Sequence, residues 1–273
     1  MEKRALVLGG GGVTGVAWEI GLIHGLAEQG LDLTTADLFI GTSAGSVVAA
    51  QLTSGSTTQE LYERELADTS GDRNAGIGSR VLIAFVLASL LPNGRARLGR
   101  AALKARTVPE SARREAIRSR VHRDEWPAQR LLVTAVEAET GKTEVFDSDS
   151  GASLIDAVAA SCAVPLVWPP MTVNGKRYID GGVRSVANAD LAEGYDRVVV
   201  IAPITAAARR AARPAAQAAA LGPTTKSVVI SPTDAALTAI GRNPLDPSRR
   251  APAAEAGRRQ AREAAELVRP TWT

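Results

Sequence analysis

A single cysteine, Cys162, stands in the 273-residue chain, so no intrachain disulfide can form and a reducing, cytoplasmic setting is expected. Aromatic residues are also sparse, at 4%, while charged residues reach 22% and hydrophobic ones 45%. That balance excludes both a disordered tail and a membrane bundle. Long apolar runs are missing too. Residues 5–8 are the whole apolar stretch before the first glycine run, too short for a signal peptide, and the longest run, residues 81–91, is too short to span a bilayer. Charge of either sign is nearly balanced, with a formal net charge of +3 and a pI near 9.3. This allows weak attraction to anionic surfaces and gives no reason to expect a nucleic-acid partner. The chain length suits one globular α/β domain over residues 1–273.

What is present reads as alternating strands and helices. Residues 5–8 (Ala-Leu-Val-Leu) form a buried-type strand that breaks at Gly9. Val16, Ile20, Ile23 and Ala27 then recur at helical spacing up to Gly30, a C-terminal cap. Residues 37–40 are a second strand, ending at Gly41, and residues 46–52 the next helix. Strand, sharp turn and helix twice in fifty residues predict a mostly parallel central sheet flanked by helices. Residues 57–123 show helices and loops without a strand, a helical cap or insertion. Within them, Thr107-Val108-Pro109-Glu110 has the pattern of a capping box opening a helix to about Val121. Strands return at residues 131–137 and 144–146 around Thr140-Gly141-Lys142, followed by an amphipathic helix over residues 154–161. Asn174-Gly175 gives a strong hairpin signal leading into Asp180. Residues 197–202 and 227–230 are two more strands. Between them an Ala/Arg-rich stretch within 205–222 is either a helix or a mobile loop, and residues 251–268 read as a closing surface helix.

Two glycine-rich turns carry chemistry. Gly41-Thr42-Ser43-Ala44-Gly45 is a G-x-S-x-G between a strand and a helix. There a tight turn lifts the serine out at the sheet edge, and the helix N-terminus favours developing negative charge. The plain alternative is a turn in which Ser43 caps the following helix. The run from Gly9 to Gly15 can aim several backbone N–H groups at one point, as an oxyanion hole requires. Gly10-x-Gly12-x-x-Gly15 also satisfies a dinucleotide fingerprint. That fingerprint expects an acidic residue at the end of the next strand, where this chain has Gly41-Thr42-Ser43, so a nucleotide site is disfavoured.

Histidine is the last scarcity. His24 lies near the apolar stripe of the first helix and His122 closes a basic helix; none follows position 122. A triad in the order serine, acid, histidine therefore cannot be completed, and a base for Ser43 would be a carboxylate. Asp180, in Tyr178-Ile179-Asp180-Gly181-Gly182, ends a strand with two glycines behind it. Its own neighbourhood fits a base and an ordinary Asp-Gly turn equally well.

Four motifs occur in order: the glycine loop, Gly-Thr-Ser-Ala-Gly, Ala160-Ser161-Cys162-Ala163-Val164-Pro165, and Asp180-Gly181-Gly182. Together they resemble the patatin-like phospholipase family, acyl hydrolases with a Ser–Asp dyad, over most of the chain to about Asn188. The resemblance implies a three-layer patatin-like α/β fold. It also implies Ser43 as nucleophile, Asp180 as general base and Gly10, Gly11 and Gly12 as oxyanion donors, with an acyl lipid or other ester as substrate and no metal or cofactor. The chain departs from the family at Thr14, where members usually carry Arg or Lys, which separates the hydrolase expectation from the phospholipid one. A small-ester carboxylesterase or thioesterase, or an idle lipid-sensing module, are the other readings. The apolar residues 81–91 precede a basic stretch that includes Arg95, Arg97, Arg100, Lys104 and Arg106. That order suits either a lid making peripheral membrane contact or a core helix followed by solvated ones.

Overall fold

Residues 5–8 form a strand because each of their side chains has a buried face to occupy. In the computed structural model, which describes residues 2–67, 76, 84–85, 87–88 and 90–273, this strand lies inside an eight-stranded mixed sheet. The strands are β1 (Arg4–Leu8), β2 (Leu38–Thr42), β3 (Arg130–Glu137), β4 (Thr143–Phe146), β5 (Met171–Val173), β6 (Lys176–Asp180), β7 (Arg197–Ile201) and β8 (Lys226–Ile230). Their order is β5-β6-β3-β2-β1-β7-β8, with β4 also paired to β3. β3, β2, β1, β7 and β8 run parallel, whereas β4 and β6 pair antiparallel with β3 and β5 with β6. The Asn174-Gly175 turn, with φ of 49° and 76°, closes the β5–β6 hairpin as expected.

Successive side chains of a strand point to opposite faces, and the core divides accordingly into layers. Leu6, Leu8, Phe39, Leu131 and Val133 face one helical layer. It contains α1 (Gly12–Glu28), α2 (Ala44–Leu52), α3 (Thr58–Leu66), α5 (Glu110–Val121), α6 (Leu154–Ser161) and α9 (Arg250–Trp272). Ala5, Val7, Leu38, Ile40, Val198 and Val200 face the other layer, with Ala187, Ala189, Ala192 and α7 (Pro214–Ala219). α4 (Gly94–Lys104) covers β3 and β6 through Leu98 and Ala102 against Val136 and Ile179. This is the expected three-layer α/β arrangement.

Several expectations need correction. The closing helix is not a simple surface helix: α9 buries Ala253, Ala254, Ala261, Ala264, Val268 and Trp272 against α1. The approach is so close that a Cβ on Gly21 would lie 2.0 Å from the Ala254 carbonyl oxygen. The Thr107 capping box does not form. Pro109 is the extended residue before α5, and Glu110 instead accepts from the Thr172 N–H and hydroxyl. A capping box does form at Thr57 and Glu60, opening α3. The Ala/Arg-rich stretch contains a short 3-10 turn (Arg210–Ala212) and α7, and α8 (Asp234–Ile240) follows where no helix was expected. α1 begins at Gly12, so the glycine loop runs straight into it. Of the apolar run 81–91, residues 81–83, 86 and 89 lie outside the described residues. Among those described, no helix is long and apolar enough to cross a membrane.

Candidate active site

Register brings the motifs to one level of the sheet. Leu8 pairs with Gly41, Thr42 with Thr134, and Asp180 with Ala135, so the ends of β2 and β6 sit beside neighbouring positions of β3 and the end of β1 beside β2. At the end of β2, Ser43 adopts φ 51° and ψ −115°, a region L-residues rarely occupy, and α2 starts at once. Its side chain makes no capping bond, which removes the plain reading of Ser43 as a helix cap. Close packing enforces the turn: a Cβ on Gly45 would stand 2.1 Å from the Leu8 carbonyl oxygen, and one on Gly41 2.4 Å from Ser46 Cα. Thr42 and Ala44, on either side of Ser43, are fully buried.

The strained peptide is held by side chains from another element. Ser43 N–H donates to the Ser161 hydroxyl at 2.8 Å, and the Ser43 carbonyl accepts from Ser46 Oγ at 2.6 Å and Cys162 Sγ at 3.2 Å. Buried in this way, the Cys162 thiol is pushed up to about 11 and stays protonated as a donor. Below the turn, Asn188 Nδ2 donates to Thr42 Oγ1, Thr134 Oγ1 and the Ser185 carbonyl, a buried polar knot joining β2, β3 and the loop after β6.

The glycine loop is bonded to both neighbouring motifs. Gly9 carbonyl accepts from Gly45 N–H at 2.9 Å, and Gly10 N–H donates to Val186 carbonyl at 2.7 Å. Gly10 therefore lines the site beside Ser43 Cβ, but its N–H is committed to Val186, a correction to its expected role as a free oxyanion donor. The N–H groups of Gly11, Gly12 and Val13 have no acceptor among the described residues and lie at the N-terminus of α1. Thr14, in place of a basic residue, is buried and ties the loop to Pro244 through its N–H at 3.1 Å. Glu19 is a residue that the sequence reading missed. It is fully buried, accepts from Gly9 N–H at 3.0 Å and so braces the loop, and burial drives its pKa well up. An acid four positions from Gly15 on an otherwise apolar helix face was the available signal.

Asp180 is 3% exposed. Its backbone N–H donates to the Ala163 carbonyl, and its Oδ1 accepts from Gly182 N–H at 2.7 Å. Gly181 packs where a Cβ would meet the Thr134 carbonyl oxygen at 2.4 Å. Burial raises the Asp180 pKa from 3.8 to about 6, against the opposing effects of the Ser43 hydroxyl, Gly182 N–H and the Arg113 charge. Oδ2 is buried and has no fully formed hydrogen bond among the described residues, although the Ser43 hydroxyl is near enough to stabilise its charge. Arg113 of α5 stands over the Trp168 ring at 4.4 Å and donates to the Cys162 carbonyl at 3.2 Å.

Two cavities meet at Ser43. One of about 520 Å³ lies toward α2 and α5 and is walled by Val16, Val47, Ile117, Val164, Trp168 and Leu245. The other, about 240 Å³, contains Asp180, Gly10 to Gly12, Arg95, Arg184 and Arg209. Neither His24, stacked on Tyr62, nor His122, at the end of α5, lines them. Among the described residues no three His, Cys, Asp or Glu side chains are grouped as metal ligands.

VipD from Legionella pneumophila is similar over 98% of this chain and 67% of its own, at 16% identity and a TM-score of 0.50, a likeness of fold alone. The type III effector protein ExoU is similar over 97% of this chain and 54% of its own, at 18% identity and a TM-score of 0.40. No curated protein sequence matches. The model of the patatin-like phospholipase family matches residues 6–193, well over half the chain, from β1 past the Asp180 turn. The chain belongs to the patatin-like phospholipase family and is a hydrolase of the esterase/phospholipase type that acts on lipid esters.

Proposed function

We propose that the chain cleaves carboxylic ester bonds of acyl lipids with Ser43 as nucleophile and Asp180 as its general base. The observation that carries this is the buried, unpaired Oδ2 of Asp180 beside the hydroxyl of a serine held at a strained elbow. A carboxylate at its ordinary pKa is a poor base for an alcohol; raised to about 6, Asp180 is better matched to neutral pH and still largely ionised there. Ser43 Oγ attacks the acyl carbon while its proton passes to Asp180. Gly11 and Gly12 N–H groups, with the positive end of α1, stabilise the oxyanion. Asp180 then protonates the leaving alcohol, and afterwards activates the water that clears the acyl-enzyme. The 520 Å³ cavity, whose apolar wall of Val16, Val47, Ile117, Val164 and Leu245 is edged by Arg113, Glu115 and Arg120, favours an acyl chain over an acetyl group. Exposed Leu90, Leu91 and Ile204, near the mouth of the smaller cavity, suit contact with a lipid surface.

A fluorophosphonate should label Ser43 in the folded wild type and not in Ser43→Ala. A well-folded wild type that stays unlabelled sinks the proposal. With p-nitrophenyl esters of rising chain length, activity should increase beyond butyryl; confinement to acetyl and butyryl would move the assignment to a small-ester esterase. Near-normal turnover by Asp180→Asn would show that another group is the base.

A further inference from the structure

Glu19 lies in α1 with no solvent exposure, and one of its carboxyl oxygens accepts from the Gly9 N–H at 3.0 Å. The other oxygen, Oε2, is buried with no hydrogen-bond partner among the described residues. Taking a carboxyl group out of water and leaving half of it unpaired costs stability. Gly9 does not need the bond either. Its N–H already donates to the Ile201 carbonyl at 2.9 Å, continuing the pairing of β1 with β7. Glu65, the other buried glutamate among the described residues, shows the ordinary arrangement, an ion pair with Arg250 at 2.8 Å. The Glu19 contact therefore has no account in stability alone.

Its effect is geometric. The Gly9 carbonyl accepts from Gly45 N–H in the serine elbow, and the next residue, Gly10, donates to the Val186 carbonyl. α1 begins at Gly12, and Glu19 lies about two turns along it. Its carboxyl thus ties the end of β1 to a fixed point on the helix whose start carries the Gly11 and Gly12 N–H groups. Four consecutive glycines give this connection more backbone freedom than other residues would. Oxyanion donors work only when they are fixed beforehand where the charge will develop. Glu19 lines neither cavity, so it can act on the reaction only through the loop.

We propose that Glu19 is a positioning residue for the oxyanion loop: by holding Gly9 to α1 it fixes the Gly11 and Gly12 N–H groups relative to Ser43. The proposal rests on the Ser43–Asp180 reading with those two residues as donors. Stability is given up at Oε2 so that a glycine-rich turn keeps one conformation.

The test is Glu19→Met, an unbranched apolar side chain of similar length, with Glu19→Leu beside it and Glu19→Gln to keep an acceptor for Gly9. On p-nitrophenyl octanoate, Glu19→Met should lower kcat by roughly tenfold or more with KM within about twofold. Its urea midpoint should stay at or above that of the wild type, because the unpaired oxygen is gone. Glu19→Gln should retain at least about a third of kcat, since its amide oxygen still accepts from Gly9. Affinity for an octyl trifluoromethyl ketone, to which Ser43 adds to give a tetrahedral oxyanion, should fall in parallel with kcat. Affinity for octanoate, which develops no such oxyanion, should not change. Glu65→Gln should lower the urea midpoint and leave kcat of the folded protein as it is.

Three results overturn the proposal: wild-type kcat in Glu19→Met, a loss in Glu19→Gln as large as in Glu19→Met, or failure of both apolar variants to fold, which would make Glu19 a residue of the fold. Ser43→Ala separates the two levels. Wild-type turnover in that variant refutes the Ser43–Asp180 reading, whereas an inactive Ser43→Ala beside a fully active Glu19→Met refutes the role of Glu19 alone.

Discussion

The Ser161 hydroxyl accepts the Ser43 N–H at 2.8 Å, so the last residue of α6 holds the backbone of the elbow that ends β2. Both groups are buried. Ser161→Ala would leave an N–H without a partner at the most strained point of the site. A stability loss of about 1–3 kcal/mol is expected in urea unfolding. Ester turnover should fall further than that loss explains, because the elbow relaxes. Full activity in a correspondingly destabilised variant would show that Ser161 matters to the fold alone.

Asp180 gives activity and stability opposite pH dependences. Its folded pKa, about 6, lies above the ordinary 3.8. The folded state therefore binds more protons between these values, and this group's contribution to stability is lost as pH rises through the window. Activity needs the ionised base and should rise over the same interval, with a kcat/KM limb near pH 6. Asp180→Asn should be more stable than wild type at pH 8 by on the order of 2 kcal/mol, and the gain should vanish at pH 4. A pH-independent difference between the two proteins would contradict the assigned pKa.

Arg113 opposes the burial of Asp180 by stabilising its negative charge. Arg113→Gln removes that charge, so the Asp180 pKa should move higher and the acid limb of the pH–rate profile should shift upward with it. A loss of activity with the limb unmoved would mean that Arg113 acts by packing on Trp168 instead.

Gly45 and Gly194 separate steric from conformational cost. A Cβ at Gly45 would stand 2.1 Å from the Leu8 carbonyl oxygen, against backbone that cannot yield without moving α2 off β1. At Gly194, φ is 84° and nothing lies within 4 Å. Gly194→Ala should cost roughly 1–2 kcal/mol. Gly45→Ala should cost considerably more and abolish Ser43 labelling; equal unfolding midpoints would contradict the packing argument.

Much of this was legible in the chain. Residues 5–8 and 37–40 read as strands because short apolar runs ending in glycine have few other uses, and Asn174-Gly175 specified its hairpin through left-handed dihedrals. The elbow was visible because its glycines are required by contacts close to Ser43 in sequence. Glu19 and Asn188 carried no comparable signal. Their partners, Gly9 in one case and Thr42 with Thr134 in the other, are recognised through burial and long-range bonds. The Thr107 pattern misled for a related reason: Glu110 found better partners in Thr172 and Arg177 than in its own helix start.

Local sequence determined where the glycine loop, the serine turn and the Asp-Gly-Gly turn lie, because backbone conformations of that kind depend on residues within a few positions. The absence of a later histidine likewise pointed to a carboxylate partner before any contact was known. Tertiary structure decided the rest. It set Asp180 beside Ser43 by pairing β6 antiparallel to β3, removed Gly10 from the free donors by bonding it to Val186, and gathered Arg95, Arg184 and Arg209 around one cavity. Register, burial and the summed field of distant charges depend on how the strands are ordered, and no stretch of neighbouring residues encodes that order.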